Sequence, residues 1–104
     1  MSKIEIIATF SNFNMLKTEK VDKILNRLDP KRKKKIFKAL EFLANDPRHP
    51  GLCTHEAGTY YTYNEKSYKL FEAYVENHTP SAWRILFCFV ENHTILVAEI
   101  IPHP

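Results

Sequence analysis

Glycine is nearly absent from this chain, with two in 104 residues. Six prolines and 44% hydrophobic residues complete a composition that excludes disorder and low complexity. Cysteine is as scarce: Cys53 and Cys88 make no disulfide framework. Cys88 sits in an apolar run and reads as a buried small hydrophobe. No Cys-x-x-Cys occurs to complete a zinc site with any of the five histidines. No metal or other cofactor is therefore expected. No apolar run reaches the length of a membrane span, so no membrane partner is expected either. The N-terminus, Met1 to Ile7, alternates like a strand and lacks the regions of a signal peptide. A cytoplasmic location follows, and the Asn-His-Thr acceptors at Asn77 and Asn92 then carry no glycan meaning.

What is present suffices for one domain, residues 1–104, with a real core. The formal net charge of +3 permits an acidic or nucleic-acid partner without demanding one. Val75 to Thr79 recurs as Val90 to Thr94, one short echo rather than an array.

Three runs organise the chain: Leu70 to Glu76, Trp83 to Glu91 and Thr94 to Ile101. They are rich in β-branched and aromatic residues and separated by turn-like stretches, which predicts an antiparallel meander. Alternation puts Phe71, Ala73 and Val75 opposite Glu72, Tyr74 and Glu76. It puts Arg84, Leu86, Cys88 and Val90 opposite Trp83, Ile85, Phe87 and Phe89. In the last run Leu96, Ala98 and Ile100 oppose Ile95, Val97, Glu99 and Ile101, with His103 on the Glu99 side. One sheet face then gathers Glu72, Tyr74, Arg84, Glu99 and His103, while the other is apolar and needs a cover.

The cover comes from earlier residues. Lys3 to Phe10 reads as a strand, followed by a strand-to-helix junction at Ser11 to Asn14. A helix then runs to about Leu28 on the stripe Leu16, Val21, Ile24, Leu25 and Leu28. Asp29-Pro30 is a strong helix start, and a second helix should run to about Asn45. Its buried stripe is Ile36, Phe37, Leu40, Leu43 and Ala44. Arg48 to His55 is a loop, and Tyr60 to Tyr68 is a small hairpin or the start of the first meander strand. The predicted fold is α+β: an antiparallel twisted sheet of about four strands with two N-terminal helices packed on one face.

Two groups of residues carry candidate chemistry. Lys31, Arg32, Lys34, Lys35 and Lys38 crowd the start of the second helix, where the helix dipole disfavours cations. With Lys69 they would bind RNA phosphates; the plain alternative is a solvated helix face. The tyrosines would stack on bases or fill a core. The sheet-face residues Glu72, Tyr74, Arg84 and His103, with His55 from the loop, are the candidate catalytic set. Histidine moves protons near neutral pH, and arginine stabilises a phosphate. Together they would cut RNA without metal; the competing reading pairs Arg84 with Glu72 or Glu99.

The order strand, helix, helix, three-strand meander resembles the RelE/ParE superfamily of bacterial type II toxin–antitoxin toxins. More specific are Leu43 to Leu52, the pairing of Phe71 to Val75 with Ala82 to Phe87, the run Trp83-Arg84-Ile85, and the closing Ile101 to Pro104. The resemblance implies a toxin of a toxin–antitoxin system, held by a cognate antitoxin. RelE-like members act on the ribosome as mRNA endoribonucleases; ParE-like members inhibit DNA gyrase without catalysis. An attenuated, antitoxin-binding module is a third reading. One departure bears on activity: RelE-like cleavage leans on basic residues along the strand matching Leu70 to Glu76, which here carries Glu72 and Glu76. The match carries over Arg84, His103 and Tyr74, with Glu72 as the carboxylate that some relatives use. An extra C-terminal helix of some members is not expected.

Overall fold

The computed structural model describes residues 13–76 and 82–102 in full and the backbone of Ile4–Thr9. The strands are β1 (Ile4–Thr9), β2 (Asn14–Thr18), β3 (His55–Tyr63), β4 (Lys66–Tyr74), β5 (Trp83–Val90) and β6 (Thr94–Pro102). The helices are α1 (Glu19–Arg27) and α2 (Pro30–Asn45), and a short 3-10 turn spans Pro50–Leu52. The six strands form one sheet in the order β1-β2-β6-β5-β4-β3.

This corrects the predicted architecture. The sheet is mixed, because β2 runs parallel to β6, with Asn14 opposite Thr94 and Lys17 opposite Val97. Among the described residues it has six strands rather than about four, and two of them precede the helices. The difference lies at Asn14–Thr18, predicted as the end of the junction and the first turn of a helix but in fact a strand. Its true helix start is Thr18, whose hydroxyl accepts a hydrogen bond from Val21 N at 3.3 Å. Residues before that cap are free to extend, and Met15 and Thr18 bury themselves in the sheet at 1% exposure each. Leu16 therefore belongs to β2 and not to the stripe of α1.

The second helix matches the sequence reading. Asp29 caps it by accepting from Arg32 N at 2.9 Å, and Pro30 takes its first turn. That bond and the neighbouring Arg32 charge hold the Asp29 carboxyl below its ordinary pKa. The buried stripe is Ile36, Ala39, Leu40, Leu43 and Ala44. Phe37 is not in it but stands 43% exposed.

The core joins Val21 and Leu25 of α1 and the α2 stripe to Met15, Ala73, Ile85, Phe87, Ile95, Val97 and Ile100. Ile95, Val97 and Ile100 cannot share a face under strict alternation. A bulge explains it: Leu86 pairs with Glu99 but Phe87 with Val97, leaving Ala98 as the extra residue on β6. The bulge reverses the parity of β6, so Leu96 and Ile100 lie on opposite faces, contrary to the predicted grouping.

The far face is not simply polar. Leu70, Cys88, Leu96 and Ala98 are buried there. Tyr61 from β3 lines a small hollow over Leu70, Leu86 and Ala98. Burial pushes the Cys88 thiol up to about 11 and raises the Tyr61 phenol.

The predicted hairpin is a long one, β3 with β4. Its turn residues Asn64 and Glu65 have φ of 49° and 66°, the left-handed values a two-residue hairpin turn needs. The fold is compact, with a Cα radius of gyration of 12.7 Å. Among the described residues no helix is long and apolar enough to cross a membrane.

Candidate functional site

Three strands bring four of the predicted residues together. His55 begins β3 directly opposite Glu72 of β4, and Tyr74 of β4 faces Arg84 of β5. Glu72 and Tyr74 are two residues apart, so the pleat puts both on the face away from the helices. Arg84 leans diagonally across the ladder, and its Nη1 donates to Glu72 Oε2 at 2.9 Å. His55 Nε2 lies 3.8 Å from the same oxygen. The His55 ring is 5.8 Å from that of Tyr74.

The environment assigns different parts to these groups. The Glu72 side chain is 8% exposed and that of Arg84 18%, whereas His55 is 48% exposed. Glu72 is the buried anchor and His55 the group that meets solvent. His55 Nδ1 is 2.8 Å from the Cys53 carbonyl, so Nδ1 carries the hydrogen and donates. Nε2 is then the atom free to exchange a proton, and it faces the carboxylate. Cys53 can offer its carbonyl this way because it takes φ of 49° after the Pro50–Leu52 turn. Burial and the Glu72 carboxylate, to which Tyr74 is also hydrogen-bonded, raise the Tyr74 phenol pKa; the Arg84 charge opposes them. Tyr74 stays a neutral phenol. Among the described residues the buried Nε of Arg84 has no hydrogen-bond partner.

Two further predicted members are placed differently. Glu99 shares this face but meets Lys20 at 3.4 Å instead of Arg84. His103 lies outside the described residues, as does the predicted turn at residues 77–81.

The predicted RNA-binding residues do not act as one strip. Arg32 lies over the Trp83 ring, 5.6 Å from its centre. Lys31 and Lys35 line a small hollow with Asp29 and Arg32. Lys34 is exposed. Lys69 pairs with Glu56 at 3.3 Å and alternates with Phe71, on the opposite face from Glu72.

Lys35 and Lys38 instead border a cleft of about 520 Å³ between α2, the 3-10 turn and the end of β4. Phe42, His49, Tyr74 and Glu76 also line it. The Phe42 and His49 rings stack at 4.7 Å. Sequence reasoning missed Phe42, His49 and Glu76. A signal was present in Phe42, a large apolar residue off the buried stripe of α2. Tyr74 is common to the cleft and to the His55–Glu72–Arg84 group.

Among the described residues no three histidine, cysteine or acidic side chains gather as a metal site. No protein-family model matches this chain, and neither the curated proteins nor the solved structures contain a match.

Proposed function

We propose that this protein is the toxin of a type II toxin–antitoxin module and acts as a ribosome-dependent mRNA endoribonuclease. The observation that carries the reading is the meeting of His55, Glu72, Tyr74 and Arg84 on one sheet face beside a cleft edged by Lys35 and Lys38. It is supported by the residues that resemble the RelE/ParE superfamily. A proton-exchanging imidazole, a guanidinium and a neutral phenol are the groups that RNA transesterification uses.

The assigned roles follow from burial. His55 Nε2 takes the proton of the 2′-hydroxyl, and that oxygen attacks the adjacent phosphorus. Arg84 holds the phosphate as its charge develops. Tyr74 orients the ribose or base. Glu72 is a positioning residue: bonded to Arg84 and nearly buried, it aims the guanidinium and faces the imidazole. An acid, assigned to His103, protonates the leaving 5′-oxygen, giving a 2′,3′-cyclic phosphate and a free 5′-hydroxyl. The basic start of α2 contacts ribosomal RNA, and a cognate antitoxin covers the toxin until it is released.

The test is induced expression without antitoxin, with pulse labelling of protein and DNA synthesis. An early fall in protein synthesis, abolished by Arg84→Ala and weakened by His55→Ala, is expected. An early fall in DNA synthesis would replace this reading with gyrase inhibition. The lack of basic residues along Leu70 to Glu76 would then be explained. Growth without arrest would leave an attenuated, antitoxin-binding module.

A further inference from the structure

The cleft at the end of β4 holds an oddity. Among the described residues Glu76 Oε1 is buried without a hydrogen-bond partner, although Glu76 lines the cleft beside two lysines. A buried carboxylate oxygen rarely stays unpaired, because it has given up water for nothing. Neither lysine bonds it, so a small turn of the Glu76 side chain into the cleft would present it to an N–H donor brought in from outside. The rest of the lining is specific in kind. Phe42 and Tyr74 offer aromatic walls. Lys35 and Lys38 place two cations at one border. His49 Nδ1 accepts from Gly51 N at 3.1 Å, so its Nε2 carries the hydrogen and is a further donor. An acceptor, aromatic walls and a cationic border match a flat amino-bearing ring attached to a phosphate. The volume, about 520 Å³, is of the size that encloses a small ligand.

From these features we infer that the cleft binds one nucleotide unit, with an amino-bearing base against Glu76 and its phosphate on Lys35 and Lys38. The unit comes either from an RNA strand or from a free nucleoside monophosphate. Through Tyr74 the cleft adjoins the His55–Glu72–Arg84 group, so a strand seated here would place its next phosphate near Arg84. The inference does not depend on toxicity, since it concerns binding by the isolated protein.

Calorimetric or NMR titration of the purified protein with AMP, GMP, CMP, UMP and ribose 5-phosphate tests it. The three amino-bearing nucleotides should bind about tenfold more tightly than UMP or ribose 5-phosphate. Glu76→Met should erase that preference, whereas Lys38→Ala should weaken all the nucleotides together. The wild-type selectivity needs no variant, so an unstable Glu76→Met protein leaves the test intact. No saturable binding, or equal binding of UMP, would overturn the inference. Trinucleotides that bind more tightly than monophosphates would identify an RNA strand as the source; weaker binding would identify the free nucleotide. A chain that arrests growth without binding nucleotides would lose this site alone. One that binds nucleotides but is harmless would lose the toxin reading alone.

Discussion

Thr18 Oγ1 donates to the carbonyl oxygen of Ala98 at 2.9 Å, across 80 residues of chain. The same hydroxyl caps α1. The Ala98 carbonyl belongs to the bulged residue of β6, where regular ladder pairing fails. One buried oxygen thus serves the helix start and the irregular strand together. Thr18→Val keeps the shape and removes both bonds. It should cost about 2 kcal/mol, read as a lowered urea midpoint with an unchanged slope.

The Arg84–Glu72 pair makes a second prediction. Arg84→Ala leaves a nearly buried carboxylate without its cation and should cost about 2–3 kcal/mol. Adding Glu72→Gln removes the uncompensated charge, so the double variant should recover part of the loss. The coupling from the four-protein cycle should be about 1 kcal/mol or more. Additive losses would show that the two side chains do not depend on one another.

Cys88 gives a pH dependence whose sign is fixed. Its thiol ionises at about 11 in the folded protein and at 9.0 by default when unfolded. Between those values the unfolded chain has lost a proton that the folded one keeps, so stability falls as pH rises from 9.0 towards 11. The loss attributable to this thiol should reach roughly 2–3 kcal/mol. Comparing wild type with Cys88→Ala across that range isolates it. In the same protein, a thiol reagent at neutral pH should label exposed Cys53 at once and buried Cys88 only on unfolding.

The turn of the β3–β4 hairpin is improvable. Glu65 holds φ of 66°, a region where a side chain collides with its own backbone. Glu65→Gly creates the preferred Asn-Gly pair and should stabilise the protein by about 1 kcal/mol, visible as a raised melting temperature.

Much of the fold was legible wherever a local rule decided the outcome. Asp29-Pro30 sets the start of α2, since cap chemistry acts over a few residues. The alternation in β4 and β5 correctly puts Glu72, Tyr74 and Arg84 on one face, and the start of β3 supplies His55. Failures occurred where distant residues decide. Asn14–Thr18 becomes a strand because β6 is there to receive it, and nothing within five residues says so. The Ala98 bulge is likewise invisible in a run of apolar side chains. Phe37 lies off the buried stripe because Ala39 takes its expected share, and alanine carries little hydrophobic signal. The cleft has no local signature in the sequence because its walls come from α2, a 3-10 turn and a strand end.

The place of β6 between β2 and β5 also constrains the order in which this protein can be made. Translation delivers β2, α1 and α2 long before the strand against which they close. Until residues 94–102 are synthesised, Met15, Val21 and Leu25 lack the Ile95 and Val97 side chains that complete their packing. The growing chain therefore carries exposed apolar surface through most of its synthesis, open to chaperones or to a partner present from the outset. Parallel pairing at such a separation makes late, slow closure of the sheet the expected course.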